Sequence, residues 1–93
     1  MKTVTYNNVN TYETLNKYTT NTKNVWLVFH GIGYLSRFFV RHFSKLSPED
    51  NYIICPQALS KYYKDNTYKR VGASWLTREN TAIETENLLN YLD

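Results

Sequence analysis

The stretch Val25-Trp26-Leu27-Val28-Phe29-His30-Gly31-Ile32-Gly33 constrains this chain more than any other, because an unbroken apolar run ends abruptly in a glycine-flanked turn. Five apolar residues without alternation predict a strand covered on both faces, as in a parallel sheet held between helices. The glycines either side of Ile32 let the backbone bend sharply and leave amide N–H groups aimed at open space. Followed at once by a helix N-terminus, such donors suit the stabilisation of negative charge developing on a carbonyl oxygen. A plain strand-to-helix turn is the alternative, and the rest of the chain decides between them.

From Tyr34 to Leu46 the apolar residues fall at Leu35, Phe38, Phe39, His42/Phe43 and Leu46. That three-and-four spacing predicts a helix with one apolar stripe, and Arg37, Arg41, Ser44 and Lys45 fill its other face. Ser47-Pro48-Glu49-Asp50-Asn51 ends it, since Pro48 cannot continue a helix. A second strand follows at Tyr52-Ile53-Ile54-Cys55. Strand, helix and strand with so long a connection predict a parallel crossover, and hence an α/β fold.

Pro56-Gln57-Ala58-Leu59 comes next, then a polar aromatic loop, then Val71-Gly72-Ala73-Ser74-Trp75 and a last helical segment. In this order, V-W-L-V-F-H-G-I-G, an amphipathic helix, Y-I-I-C-P-Q-A, a loop ending in S-W and a further helix resemble the N-terminal half of an α/β-hydrolase. Within that superfamily the chain is most similar to the small carboxylesterase, phospholipase and acyl-protein thioesterase group. The match spans about Val25 to Asp93. It implies a partial three-layer sandwich with residues 25–56 as a β-α-β unit, 57–76 as a loop and 77–93 as a helix. The helix reading has its own support: Thr77 is a suitable N-cap, Glu79 and Glu84 suit the early turns, and Ala82, Ile83, Leu88, Leu89 and Leu92 supply an apolar side. Ahead of the unit, residues 1–20 read as an antiparallel hairpin, with Val4 and Tyr6 in one strand, Tyr12 and Leu15 in the other, and Asn7-Asn8-Val9-Asn10 as the turn.

A chain of 93 residues holds one small domain. Its first residues lack the apolar centre of a signal peptide and no apolar run approaches the roughly 18 residues of a membrane helix, so a cytoplasmic protein with no membrane span is the expectation. The single cysteine, Cys55, cannot form an internal disulfide and reads as buried packing. The two histidines, His30 and His42, lack a third ligand at metal spacing, and neither a metal nor another cofactor is expected. Lys61-Tyr62-Tyr63-Lys64 and Tyr68-Lys69-Arg70 interleave bases with aromatics, yet the net charge of +3 is mild and Asp65 interrupts the run. A solvated loop, with no nucleic-acid partner, is the preferred reading.

A serine hydrolase of this kind needs a nucleophile on a G-x-S-x-G elbow, then an acid, then a histidine. Gly72-Ala73-Ser74-Trp75-Leu76 has Leu where the second glycine belongs, and both histidines precede Ser74. No catalytic nucleophile, acid or base is therefore assigned among these residues, and Ser74 is left as a pocket or helix-start residue. The resemblance places those three groups in a C-terminal part beyond Asp93, whether lost, separately encoded or simply outside this sequence. It implies that the Ile32 N–H is one oxyanion donor, with Gly31 and Gly33 shaping the loop and His30 supporting it. By position Tyr34 and Trp75 would line the pocket, although Trp75 serves equally as an anchor for the last helix. Tyr34 departs from the small or acidic residue common there, which leaves the acyl preference open. The expected function is the oxyanion-hole portion of a hydrolase for small carboxylic esters or thioesters, inactive alone. Its most apolar strand would lie at a sheet edge, so self-association is expected. A stand-alone α/β binding module and a basic nucleic-acid surface are the alternatives.

Overall fold

The strand Asn51–Pro56, built on the strand-favouring residues Tyr52, Ile53 and Ile54, forms the centre of the molecule. In the computed structural model, which describes residues 1–93, this strand pairs on one side with β1 (Tyr12–Leu15) and on the other with β2 (Asn24–Leu27). The central strand, third in chain order, is β3. Its pairing with β1 is antiparallel, Leu15 facing Ile53 and Glu13 facing Cys55. Its pairing with β2 is parallel, Trp26 facing Ile53 and Leu27 facing Ile54, and the Val28 amide extends the ladder to Ile54 at 2.9 Å. The expected parallel crossover is present and the molecule is a small α/β fold.

Between β2 and β3 the chain forms α1 (Ser36–Phe39) and then a 3-10 turn over Val40–Phe43. One continuous helix from Tyr34 to Leu46 was the expectation, and the aromatic and β-branched run Phe38-Phe39-Val40 explains the difference, since such side chains crowd the preceding helical turn. Leu35 is extended and offers no side-chain cap. The short helical layer nevertheless does what its apolar spacing requires: Val40 packs with the fully buried Ile53 and Cys55, and Leu15, Val28, Phe39, Phe43 and Leu46 close around them.

The opposite face of the sheet has no such cover. Register puts Val25 and Leu27 on the side of Tyr52 and Ile54, away from α1. Val25, Leu27 and Phe29 are 55 %, 54 % and 45 % exposed, so the strand expected to be buried on both faces is a sheet edge covered on one. Only 12 of the 93 residues are buried. The radius of gyration is 15.6 Å, against about 12 Å for a compact domain of this length.

Three further expectations need correction. Residues 1–20 do not form a hairpin: Val4, Tyr6 and Val9 are exposed outside any strand, because β1 gains more from pairing with the apolar β3 than from a local partner. Asn8 and Asn10 instead accept from the next residue's amide, at 2.9 and 2.8 Å. Residues 57–76 are not a plain loop, for they contain a hairpin of β4 (Ser60–Tyr63) and β5 (Val71–Ser74) in the register Ser60 to Ser74. Asp65 closes its tip by accepting from the Thr67 amide and hydroxyl at 3.0 and 2.6 Å. These bonds, the hydroxyl's above all, hold the Asp65 carboxyl below its usual range.

The last helix, α2, runs Thr81–Leu92 rather than from Thr77, with Asn80 left-handed at its start. Thr77 is not its cap, because its amide and hydroxyl are drawn to the Glu84 carboxylate at 2.8 and 2.5 Å. The Ser60 hydroxyl joins them at 3.1 Å. No α2 residue is fully buried, and the helix is tethered by polar bonds. No helix is long and apolar enough to cross a membrane.

Two outcomes follow from these packing facts. The open sheet face and free β2 edge should bind a hydrophobic dye and give concentration-dependent sedimentation, and Leu27→Lys should reduce both. A monomer that melts sharply and binds no dye would contradict this. Donation by Thr77, with Ser60 adding to it, holds the Glu84 carboxyl below the ordinary glutamate range. Its folded-state value is depressed, so the α2 tether is complete above the unfolded-state value and is lost as pH falls through the folded one. The Thr77 amide resonance should therefore move in that acidic window and stay fixed in Glu84→Gln.

Candidate functional site

The turn His30-Gly31-Ile32-Gly33 starts two residues beyond β2, after Val28 and Phe29, and lies beside the residues that follow β3. His30 is 2 % exposed, and a neutral imidazole so placed needs a partner for each nitrogen. The Ala58 amide donates to its Nε2 at 3.0 Å. Nε2 is therefore the bare nitrogen, Nδ1 carries the hydrogen, and the Gly31 carbonyl 2.9 Å away accepts it. The indole of Trp75 stacks on the ring at 5.1 Å between centroids and donates from Nε1 to the His30 carbonyl at 2.9 Å.

Those bonds aim the next amide. The Gly31 carbonyl and the Ile32 N–H belong to one planar trans peptide, so they point in opposite directions. Fixing the carbonyl on the buried imidazole turns the Ile32 N–H away from the core. Neither the Gly31 nor the Ile32 amide has an acceptor in the protein, and Ile32 is 73 % exposed. Gly33 closes the turn in a left-handed conformation, φ +84°, and its own amide donates to the Ala73 carbonyl at 2.9 Å. The sequence places two glycines here; only the second requires glycine for its φ.

The helix contributes less than its nearness in sequence implies. Tyr34 and Leu35 separate the turn from α1, and the first α1 amide is already used: Ser36 donates to Gln57 Oε1 at 2.9 Å from both its N–H and its hydroxyl. With four residues and an occupied first amide, α1 supplies little dipole to the turn. Charge stabilisation would rest on the loop amides.

Pocket assignments divide. Trp75 is an anchor, edge-on to Phe29 at 5.4 Å and covering His30. Tyr34 stands half-exposed at the mouth of a cleft of about 360 Å³ with Leu35, Phe38 and Val71. Ser74 is buried, and its hydroxyl donates to the Leu76 carbonyl at 2.6 Å. With both His30 nitrogens engaged, no imidazole is free there to act as its base. Burial, with the Glu13 carboxylate adding to it, pushes the Cys55 thiol up, away from the thiolate. Nowhere do three histidine, cysteine or acidic side chains converge.

Sequence reasoning missed the residues that hold the turn in place. Gln57 caps α1 from the end of β3, Ala58 holds the imidazole, and Tyr91 reaches back from α2. The Tyr91 hydroxyl accepts from the Gln57 amide at 3.1 Å and donates to the Thr11 carbonyl at 2.6 Å. Burial raises its phenol, which keeps it a donor. A glutamine directly after an apolar strand was the available signal for the first of these. Gly72 was missed too: a Cβ there would lie 2.7 Å from the Gly33 carbonyl oxygen.

No protein-family model matches the chain, and no curated protein matches it. The site is thus read from its own geometry. Gly72→Ala should force the hairpin from the turn and cost about 1–3 kcal/mol in chemical unfolding. Resonances of Ile32 and Gly33 should move with it. An unchanged midpoint and unchanged turn resonances would show that the two backbones are not in contact in solution.

Proposed function

We propose that these 93 residues form the oxyanion-hole portion of a serine hydrolase acting on carboxylic esters or thioesters. The observation that carries the reading is the Ile32 amide, held outward without a partner by a buried histidine at the end of a parallel strand. In acyl transfer, a serine oxygen attacks the carbonyl carbon and the carbonyl oxygen becomes an oxyanion that such a donor stabilises. His30 acts as a positioning residue, fixing the Gly31–Ile32 peptide. The nucleophile, acid and catalytic histidine come from a complementing part, whose elbow strand would pair along the free edge of β2. The strand order β1-β3-β2, with β2 at the edge, supports that arrangement. The product of the elbow would be a second N–H facing the same oxygen.

Alone, the chain should hydrolyse short aryl esters no faster than a heat-treated control, and a fluorophosphonate should not label it. Stoichiometric labelling of Ser74 would overturn the reading. Combined with a complementing half that restores hydrolysis, Ile32→Pro should lower the rate by about a hundredfold to a thousandfold, the usual cost of one oxyanion donor. Circular dichroism must show that variant folded. Full activity in a folded Ile32→Pro complex would remove this amide from the hole.

A further inference from the structure

The cleft beside the turn carries a charge that the hydrolase reading leaves unused. Arg37 from α1 and Lys64, Lys69 and Arg70 from the hairpin line it, together with the apolar Tyr34 and Phe38. The molecule's one ion pair joins Lys23 to Asp50, elsewhere, so none of the four cations is neutralised by a carboxylate. The nearest acid in sequence, Asp65, spends its carboxylate on Thr67 at the hairpin tip. Arg37 is held in place, its guanidinium 4.3 Å from the centre of the Phe38 ring. The hairpin that supplies the other three is fixed to the turn by the Gly72–Gly33 contact. Like charges gathered around one concavity raise the local potential and repel one another until an anion enters.

We propose that this cleft binds the phosphate group of an anionic substrate, so that the ester or thioester cleaved is a phosphorylated one. The proposal rests on the oxyanion-turn reading for the substrate's other end. Two arginines and two lysines suit a dianion better than a single carboxylate, since guanidinium forks pair with phosphate oxygens two at a time. The volume of about 360 Å³ matches a small-molecule site rather than a track for a polymer. Gly33 lines the cleft and directly follows Ile32. The cleft therefore adjoins the turn that carries the Ile32 N–H. Tyr34 and Phe38 would cover the carbon chain between phosphate and scissile carbonyl.

Titration of the chain with phenyl phosphate, followed by two-dimensional NMR, tests this without catalysis. Saturable one-to-one shifts at Gly33, Lys64 and Val71 are expected, weakening at least tenfold from low to moderate salt. Lys64→Glu/Arg70→Glu should lower affinity at least tenfold, whereas Lys45→Glu, outside the cleft, should not. Neutral phenyl acetate and the monoanion benzoate should bind at least tenfold more weakly than phenyl phosphate. Unsaturable shifts, or equal binding by the double variant, would overturn the proposal. Tighter binding of an oligothymidylate, with affinity rising with its length, would also overturn it and assign the surface to nucleic acid. Phosphate binding with no restored hydrolysis would leave the cleft standing and reject the hydrolase; hydrolysis with no phosphate binding would do the reverse.

Discussion

At 3.0 Å, the bond from the Ala58 amide to His30 Nε2 joins the segments that leave β2 and β3, just beyond the last bond of their ladder. Parallel strands have no hairpin to hold their ends together, and this pair is separated by the whole α1 segment. A buried imidazole fills that need because it can accept from one strand and donate within the other. Its tautomer is dictated by the neighbour, and the tautomer in turn dictates the direction of a peptide. Trp75 shields the arrangement from water, which strengthens both bonds. The orientation of the Ile32 amide is thus a consequence of how two strands are tied.

Beyond that tie the energetics are uneven. Stabilisation by burial is concentrated on β3, whose Ile53 and Cys55 are fully enclosed, while β2 lends only one face to the core. At the other end of the sheet Asn51 does the work of a clasp. Its side-chain oxygen accepts from the Trp26 indole at 2.9 Å and its side-chain nitrogen donates to the Ser47 carbonyl at 3.0 Å. Polar clasps at both ends of a thinly covered sheet set register well but add only about 0.5–1.5 kcal/mol each. The fold is therefore better specified than it is stabilised.

What could be read from the sequence follows the same division. The parallel crossover was legible because Val25 to Phe29 and Tyr52 to Cys55 are apolar runs flanking a three-and-four pattern. The hairpin of β4 and β5 was not legible, since Ser60-Lys61-Tyr62-Tyr63 has no alternation and is held by its ladder to β5, whose Gly72 and Ala73 in turn meet the backbone of Gly33 and Tyr34. The N-terminal hairpin failed because local turn chemistry around Asn7 and Asn8 competes poorly with a distant apolar strand. Thr77 looked like a helix cap until Glu84, seven residues on, took its hydroxyl. In each case a long-range partner outweighed a sound local signal.

The meeting of Gly72 with Gly33 has one more consequence. Two main chains touch there with no side chain between them, so no rotamer can give way when either moves. The β4–β5 hairpin is for that reason seated directly on the turn, backbone to backbone. A displacement of Gly72 would meet the Gly33 main chain directly, one residue from the Ile32 N–H, and would have to be taken up by backbone rotation rather than by a change of rotamer.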